Sequence, residues 1–206
     1  MCERIQQRIK NIFRIKALMG PLGLPLLEQD VVERLIHSSG DPSLAALLRF
    51  SPGACLGAAK ALSEGTSILT DTSMAAAGIA PMAARTFGNK VQTVLEWAPD
   101  VTPDGQTRTA IGMDYALRDH PGSIFLIGSA PTALDLLINR VINSEVSPCL
   151  VIGMPVGFVG VADSKRRLAM SGLPHIRLEG SRGGAALCAA ALNAILRRAW
   201  LNIHSA

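Results

Sequence analysis

The chain has 206 residues, of which 49% are hydrophobic and only 4% aromatic, and a formal net charge of +4. A chain of this length buries about 70% of its unfolded surface and needs no disulfide or metal staples; with so few aromatics its core must be Leu, Ile, Val and Ala, which argues against a nucleic-acid platform that works by stacking bases. The charge excess is local, because Arg4, Arg8, Lys10, Arg14 and Lys16 face a single acid, Glu3, at the start while the rest of the chain balances.

Residues 1–25 form a basic N-terminal segment. Its first part is expected to be an amphipathic surface helix with Ile5, Ile9, Ile12 and Phe13 on the apolar side, rather than a membrane or nucleic-acid contact. "GPLGLP" (20–25) is a turn or linker. Residues 30–38 read as a helix, with Asp30 as its N-cap and Val31, Leu35 and Ile36 facing inward. "SSGDPS" ends it, and Asp41 caps a following helix that has Pro42 at its first position. "SPGACLGAAKALSEG" (51–65) repeats the pattern, with Ser51 as cap and Gly65 as stop.

Five apolar or β-branched runs then read as strands: 66–71, 90–97, 122–128, 148–155 and 175–180. Helical patterns fall at 72–78, 107–119, 131–144, 161–171 and 183–199, and 199–206 reads as a loose tail. Apolar strands alternating with helices describe a three-layer α/β fold, a mainly parallel sheet flanked by helices, with an N-terminal helical section, in one domain spanning 1–206. No run approaches about 20 apolar residues, so no membrane-spanning helix is expected. Cys2, Cys55, Cys149 and Cys188 are scattered without a C-x-x-C pair, which fits reduced thiols in the cytoplasm better than disulfides or a zinc cluster.

Ligands of such sheets bind beyond the carboxyl ends of the strands. Here those ends are Gly-, Ser- and Thr-rich turns at 69–74, 127–134, 152–165 and 178–186, whose backbone N–H groups are suited to hold anions. There is no G-x-G-x-x-G, no G-x-x-x-x-G-K-[ST] and no G-x-S-x-G, so dinucleotide, Walker-type and serine-hydrolase chemistries lose weight.

Several segments point one way together. "RLIHSSGD" (34–41), "LTDTSM" (69–74), "GSAPTAL" (128–134), "IGMPVGFVGVADSK" (152–165) and the Gly-Gly-Ala stretch before "AALNAI" resemble precorrin-8X methylmutases in order and approximate spacing, over about residues 10–198. The resemblance implies a homodimeric α/β isomerase of corrinoid (vitamin B12) biosynthesis, with active sites near the subunit interface. The family moves a methyl group from C11 to C12 of precorrin-8X or cobalt-precorrin-8, giving hydrogenobyrinate or cobyrinate. It also implies no cofactor or protein-bound metal, any cobalt belonging to the substrate, and a tetrapyrrole rather than nucleic acid or membrane as partner.

The histidine of the first motif, His37, matches the family's catalytic residue and is assigned as proton donor; an imidazole exchanges a proton near neutrality. The substrate is an apolar ring with several carboxylates. Arg108 and Arg182 are therefore candidate carboxylate partners, Ser129 and Thr132 are helix-capping or carboxylate-binding hydroxyls, and Gly153, Gly157 and Phe158 give loop shape and ring contact. Asp71 and Thr72 either cap a helix or touch substrate, and Lys165 either meets a carboxylate or is solvated. Two departures from the family pattern stand out: Lys10-Asn11 in place of Arg-Ser, and Gly180-Ser181-Arg182-Gly183-Gly184-Ala185 in place of Gly-Arg-x-Gly-Gly-Ser. The alternatives are a non-catalytic corrinoid-binding protein and an unrelated α/β enzyme for an anionic metabolite.

Overall fold

The computed structural model describes residues 13–143 and 145–204. Arg4, Arg8, Ile5, Ile9, Ile12, Cys2 and the Lys10-Asn11 departure lie outside them. A helix over 13–19 (α1) leads into α2 (Leu26–Ser39), a 3-10 turn (Pro42–Ala46) and β1 (Leu48–Phe50). Then follow α3 (Ala54–Ser63), β2 (Ile68–Thr70), α4 (Ser73–Arg85), β3 (Val91–Thr93), α5 (Arg108–Asp119), β4 (Ile124–Ile127), α6 (Pro131–Ile142), β5 (Leu150–Gly153), α7 (Val161–Met170), β6 (His175–Leu178) and α8 (Ala185–His204).

The six strands form one sheet in the order β1-β6-β5-β4-β2-β3. Every pairing is parallel except β1 with β6, where Leu48 lies opposite Leu178. β4 and β5 are central and buried along their whole length, which is why they read as unbroken apolar runs. Alternate residues feed opposite faces. Ile124, Leu126, Leu150 and Ile152 join α2, α3, α4 and α8 in one apolar layer, while Phe125, Ile127 and Val151 join α5, α6 and α7 in the other. Alanine makes the first layer tight: a Cβ on Gly78 of α4 would stand 3.0 Å from Ala189 Cβ of α8.

Several expectations change. Of the N-terminal apolar set, Phe13 is 68% exposed and Ile15 turns inward instead. α2 starts after Pro25, so Asp30 is a mid-helix residue that ion-pairs with Arg198 (Oδ1 to Nη2, 2.9 Å) rather than a cap. Asp41 does cap, but the element it starts is a short 3-10 turn leading into β1, a strand not foreseen. Ser51 is not the cap of α3, which begins beyond Gly53; its Oγ accepts from His175 N (2.7 Å), prolonging the β1–β6 pairing. The 90–97 run gives three strand residues and then a 3-10 turn closed by a Thr93–Glu96 capping box. α4 continues past residue 78 and through Pro81, because packing against α8 outweighs the one backbone hydrogen bond a proline removes. The tail expected to be loose is helical to His204, whose ring stacks on Trp200 at 4.3 Å. Among the described residues no helix is long and apolar enough to cross a membrane.

Candidate active site

The placement of His37 follows from how α2 meets α8. Asp30 pairs with Arg198 near one end of the helix pair, and Asp41, just past the end of α2, pairs with Arg182 just before α8 (2.6 Å). The two helices are therefore antiparallel. α8 starts directly after the carboxyl end of β6, so α2 ends toward that edge, whereas the cavity that His37 lines is shared with the last turn of α4 and the carboxyl-terminal half of α8, which run away from it. Gly40 stops α2: at φ +70° it takes a left-handed conformation and donates its N–H to Ile36 O (2.8 Å). Asp41 then accepts from the Ser43 hydroxyl and N–H, and these bonds, with the Arg182 guanidinium, hold its carboxyl below the usual range.

His37 is exposed and lines an open cavity of about 430 Å³ between α2, α4 and α8. Around it stand Arg34, Met82, Arg85, Asn193, Arg197 and Trp200. The two acids in the lining are ion-paired, Asp30 with Arg198 and Glu33 with Lys16 (3.4 Å). The lining thus holds three guanidiniums, two paired carboxylates and one imidazole. The other three histidines have structural partners. His120 meets the edge of Trp97, His175 is buried with Nδ1 2.8 Å from Leu173 O, and His204 stacks on Trp200.

At the carboxyl edge of the sheet the strand ends are wired by one buried acid and one buried base. Asp71, 0% exposed at the end of β2, accepts with one oxygen from the N–H groups of Gly128 (3.0 Å), Ser129 (2.6 Å) and Ala130 (3.0 Å). Burial raises its pKa, against the pull of those three donors. The turn before α6, expected to offer its N–H groups to a substrate anion, thus spends them on a carboxylate of the chain itself. Thr72 caps α4 through Ala75 N, and Thr107 caps α5.

Ser129 and Thr132 are both exposed, and neither caps a helix. Thr132 Oγ1 instead lies 3.0 Å from Thr107 Oγ1, next to Arg108, which is exposed and anchored by Nε to Pro99 O (3.1 Å). Gly157 (φ +146°) donates to Ser181 O, and Phe158 beside it is 96% exposed. Gly153 has a packing role instead: it is buried in β5, where a Cβ would sit 2.4 Å from Leu168 Cδ2 of α7.

Lys165 meets no carboxylate among the described residues and is not solvated. It is 1% exposed and donates to Gly180 O (2.9 Å) and Arg182 O (2.6 Å). Arg182, on that loop, is half exposed and spans to Asp41 and Ser43.

The expected site residues therefore fall into two sets. His37 faces the helical cavity, whose lining includes none of Arg108, Ser129, Thr132, Gly153, Gly157, Phe158 or Arg182. Those residues sit on strand ends, on the loops beyond them and, for Arg108 and Thr132, in the first turns of α5 and α6, and Arg182 approaches His37's helix through Asp41. Sequence reading missed Arg85, Asn193, Arg197 and Trp200. A signal for them existed. Asp30, Glu33, Arg34 and His37 are spaced i, i+3, i+4, i+7, as are Asn193, Arg197, Trp200 and Leu201 at i, i+4, i+7, i+8, so each helix carries a partly polar stripe toward the cavity. Among the described residues no three His, Cys, Asp or Glu side chains are grouped so as to hold a metal ion, and Cys55, Cys149 and Cys188 are free thiols.

Comparison with known proteins bears on this arrangement. A family model described as precorrin-8X methylmutase matches residues 8–198. The cobalt-precorrin-8 methylmutase of Synechocystis is 36% identical over 206 residues, covering 93% of this chain and 94% of its own. The precorrin-8X methylmutase of Pseudomonas aeruginosa is 38% identical over 187 residues, covering 88% of this chain and 89% of its own. The solved precorrin-8X methylmutase of Thermus thermophilus superposes with a TM-score of 0.86 at 36% identity, covering 96% of this chain and 97% of that one.

Proposed function

The chain belongs to the precorrin-8X methylmutase family, the isomerases of cobalamin biosynthesis, and we propose that it moves the C11 methyl of precorrin-8X or cobalt-precorrin-8 to C12 with His37 as the proton donor. The observation that carries this reading is the position of His37: an exposed imidazole in the wall of a cavity between α2, α4 and α8.

The reaction is an intramolecular rearrangement. The C11–methyl bond breaks, the C12–methyl bond forms, and substrate and product have the same formula. A proton lent by His37 to the conjugated ring draws electron density toward the rearranged form and must return to the imidazole before the product leaves. A well-placed acid of this kind contributes about 10²–10⁴-fold. The guanidinium of Arg85, whose Nε donates to Pro81 O, favours the ring's acetate and propionate groups over neutral ligands.

At the helix starts and loops beyond the strands, Arg108 holds a carboxylate, Ser129 and Thr132 hydrogen-bond a second, and Phe158 lies against the ring at the turn Gly157 makes. Arg182 keeps part of its half-exposed guanidinium for substrate while Nη1 serves Asp41 and Ser43. A cavity of about 430 Å³ is at the small end for drug-sized ligands, ~300–1,000 Å³, and a corrinoid with its acid side chains is larger than these. A second protomer completing the site fits that shortfall, so the reading includes a homodimer with its active sites near the interface. It also includes a cytoplasmic location, which suits the free thiols.

The test is direct. The purified protein, mixed with metal-free precorrin-8X and separately with the cobalt form, is expected to yield hydrogenobyrinate or cobyrinate, followed by the visible spectrum. Substrate recovered unchanged in both reactions contradicts the proposal.

A further inference from the structure

Lys165 stands apart from the site residues yet is wired to them. Burying an ammonium costs several kcal/mol unless partners offset it, and a methionine of similar length would fill the same space without that cost. What the lysine adds is two hydrogen bonds, to Gly180 O and Arg182 O. Burial also lowers its pKa to about 8, which marks how much the surroundings oppose the charge.

The loop it holds is tightly constrained elsewhere. Gly184 N donates to Met154 O (2.8 Å), Gly157 N donates to Ser181 O (3.0 Å), and Gly183 lies so close to Met154 that a Cβ would stand 1.9 Å from its carbonyl oxygen. From this loop the Arg182 side chain leaves toward Asp41 and Ser43, at the turn that follows Gly40. His37 is one helical turn before that point. A continuous set of contacts thus runs from the Lys165 ammonium through the Arg182 backbone, its guanidinium and the Asp41 carboxylate to the end of α2.

We propose that Lys165 is a positioning residue for the isomerase site: by fixing the backbone of the β6–α8 loop it sets the reach of Arg182 to Asp41, and so the orientation of the helix end that carries His37. This rests on the reading of His37 as proton donor. A displacement of about 1 Å at a reacting group lowers rate by up to about 100-fold, so a loosened loop is read in turnover rather than in ring binding.

The experiment compares Lys165→Met, Arg182→Ala, their combination and Asp41→Asn with the wild-type protein. It measures kcat and KM for the methyl shift and the affinity for hydrogenobyrinate. The functional reading is checked first, by wild-type turnover that His37→Ala abolishes; without it, the positioning role falls together with that reading. In an enzyme that passes, Lys165→Met should lower kcat by up to about 100-fold with a much smaller change in hydrogenobyrinate affinity. The combined variant should be no slower than the slower single variant, because both cut one connection. Losses that multiply in the combined variant, or wild-type kcat in Lys165→Met, overturn the proposal. If Lys165→Met fails to fold, Asp41→Asn decides, since it cuts the same connection at an exposed site: a large fall in kcat supports the proposal and wild-type kcat overturns it.

Discussion

At the scale of residues, sequence type and environment part company most sharply at Asp71 and Lys165. Both occupy positions that read as helix starts or polar helix faces, where water is the ordinary partner. Both are instead sealed inside, and each satisfies backbone groups of a neighbouring loop: an acid holding three N–H groups and a base holding two carbonyls. For Lys165 the burial has a measurable consequence. Its folded-state pKa of about 8 lies below the ordinary lysine value of 10.5. Between these values the unfolded chain binds a proton that the folded chain does not, so this group makes stability rise with pH across that window. Wild type should therefore gain on the order of 3 kcal/mol relative to Lys165→Met between pH 8 and 10.5. Denaturant unfolding of both proteins across that range measures the difference. A constant gap would mean that the lysine keeps its proton, with the two carbonyls offsetting burial in full.

At the scale of elements, the site depends on where helices stop and how closely loops approach. Gly40 ends α2 in a left-handed conformation, which leaves His37 in the last turn rather than mid-helix. Gly183 lets the β6–α8 loop touch the β5–α7 loop. Gly183→Ala should destabilise the protein by about 1–3 kcal/mol or more, because the atom its Cβ would meet, 1.9 Å away, is a backbone oxygen that no rotamer change can move. Thermal unfolding should show a lowered midpoint, and an unchanged midpoint would mean that the two loops separate freely. Gly112 in α5 poses the same contest more openly. Alanine would gain up to about 1 kcal/mol of helix propensity, yet its Cβ would lie 2.2 Å from Val94 O, and the clash outweighs the gain. Elements of this kind were only partly legible in sequence. β4 and β5 were, since two-sided burial demands unbroken apolar residues. β1 was not: Leu-Arg-Phe is three residues long with a charge at its centre, and it becomes a strand only because the edge of β6 is open to it.

At the scale of the whole molecule, sequence reading reached the layered, mainly parallel sheet and the strand-end loops, because periodicity reports both directly. His37 and the loop motifs were visible through their resemblance to a family. The cavity was not, because its lining comes from α2, α4 and α8, which are far apart in the chain and adjacent only once the sheet has set their directions. Nor could residue order reveal that the N–H groups before α6 were already taken by Asp71. The resulting molecule gathers polar loops along one edge of an apolar sheet and sets one imidazole, from the last turn of α2, in a separate cavity between α2, α4 and α8.

The most direct measurement is single-turnover conversion of precorrin-8X by His37→Ala, read beside hydrogenobyrinate binding to the same protein. Conversion slowed by about 10²–10⁴-fold with binding near wild type is the predicted result. Conversion at the wild-type rate would contradict the assignment of His37 as the proton donor.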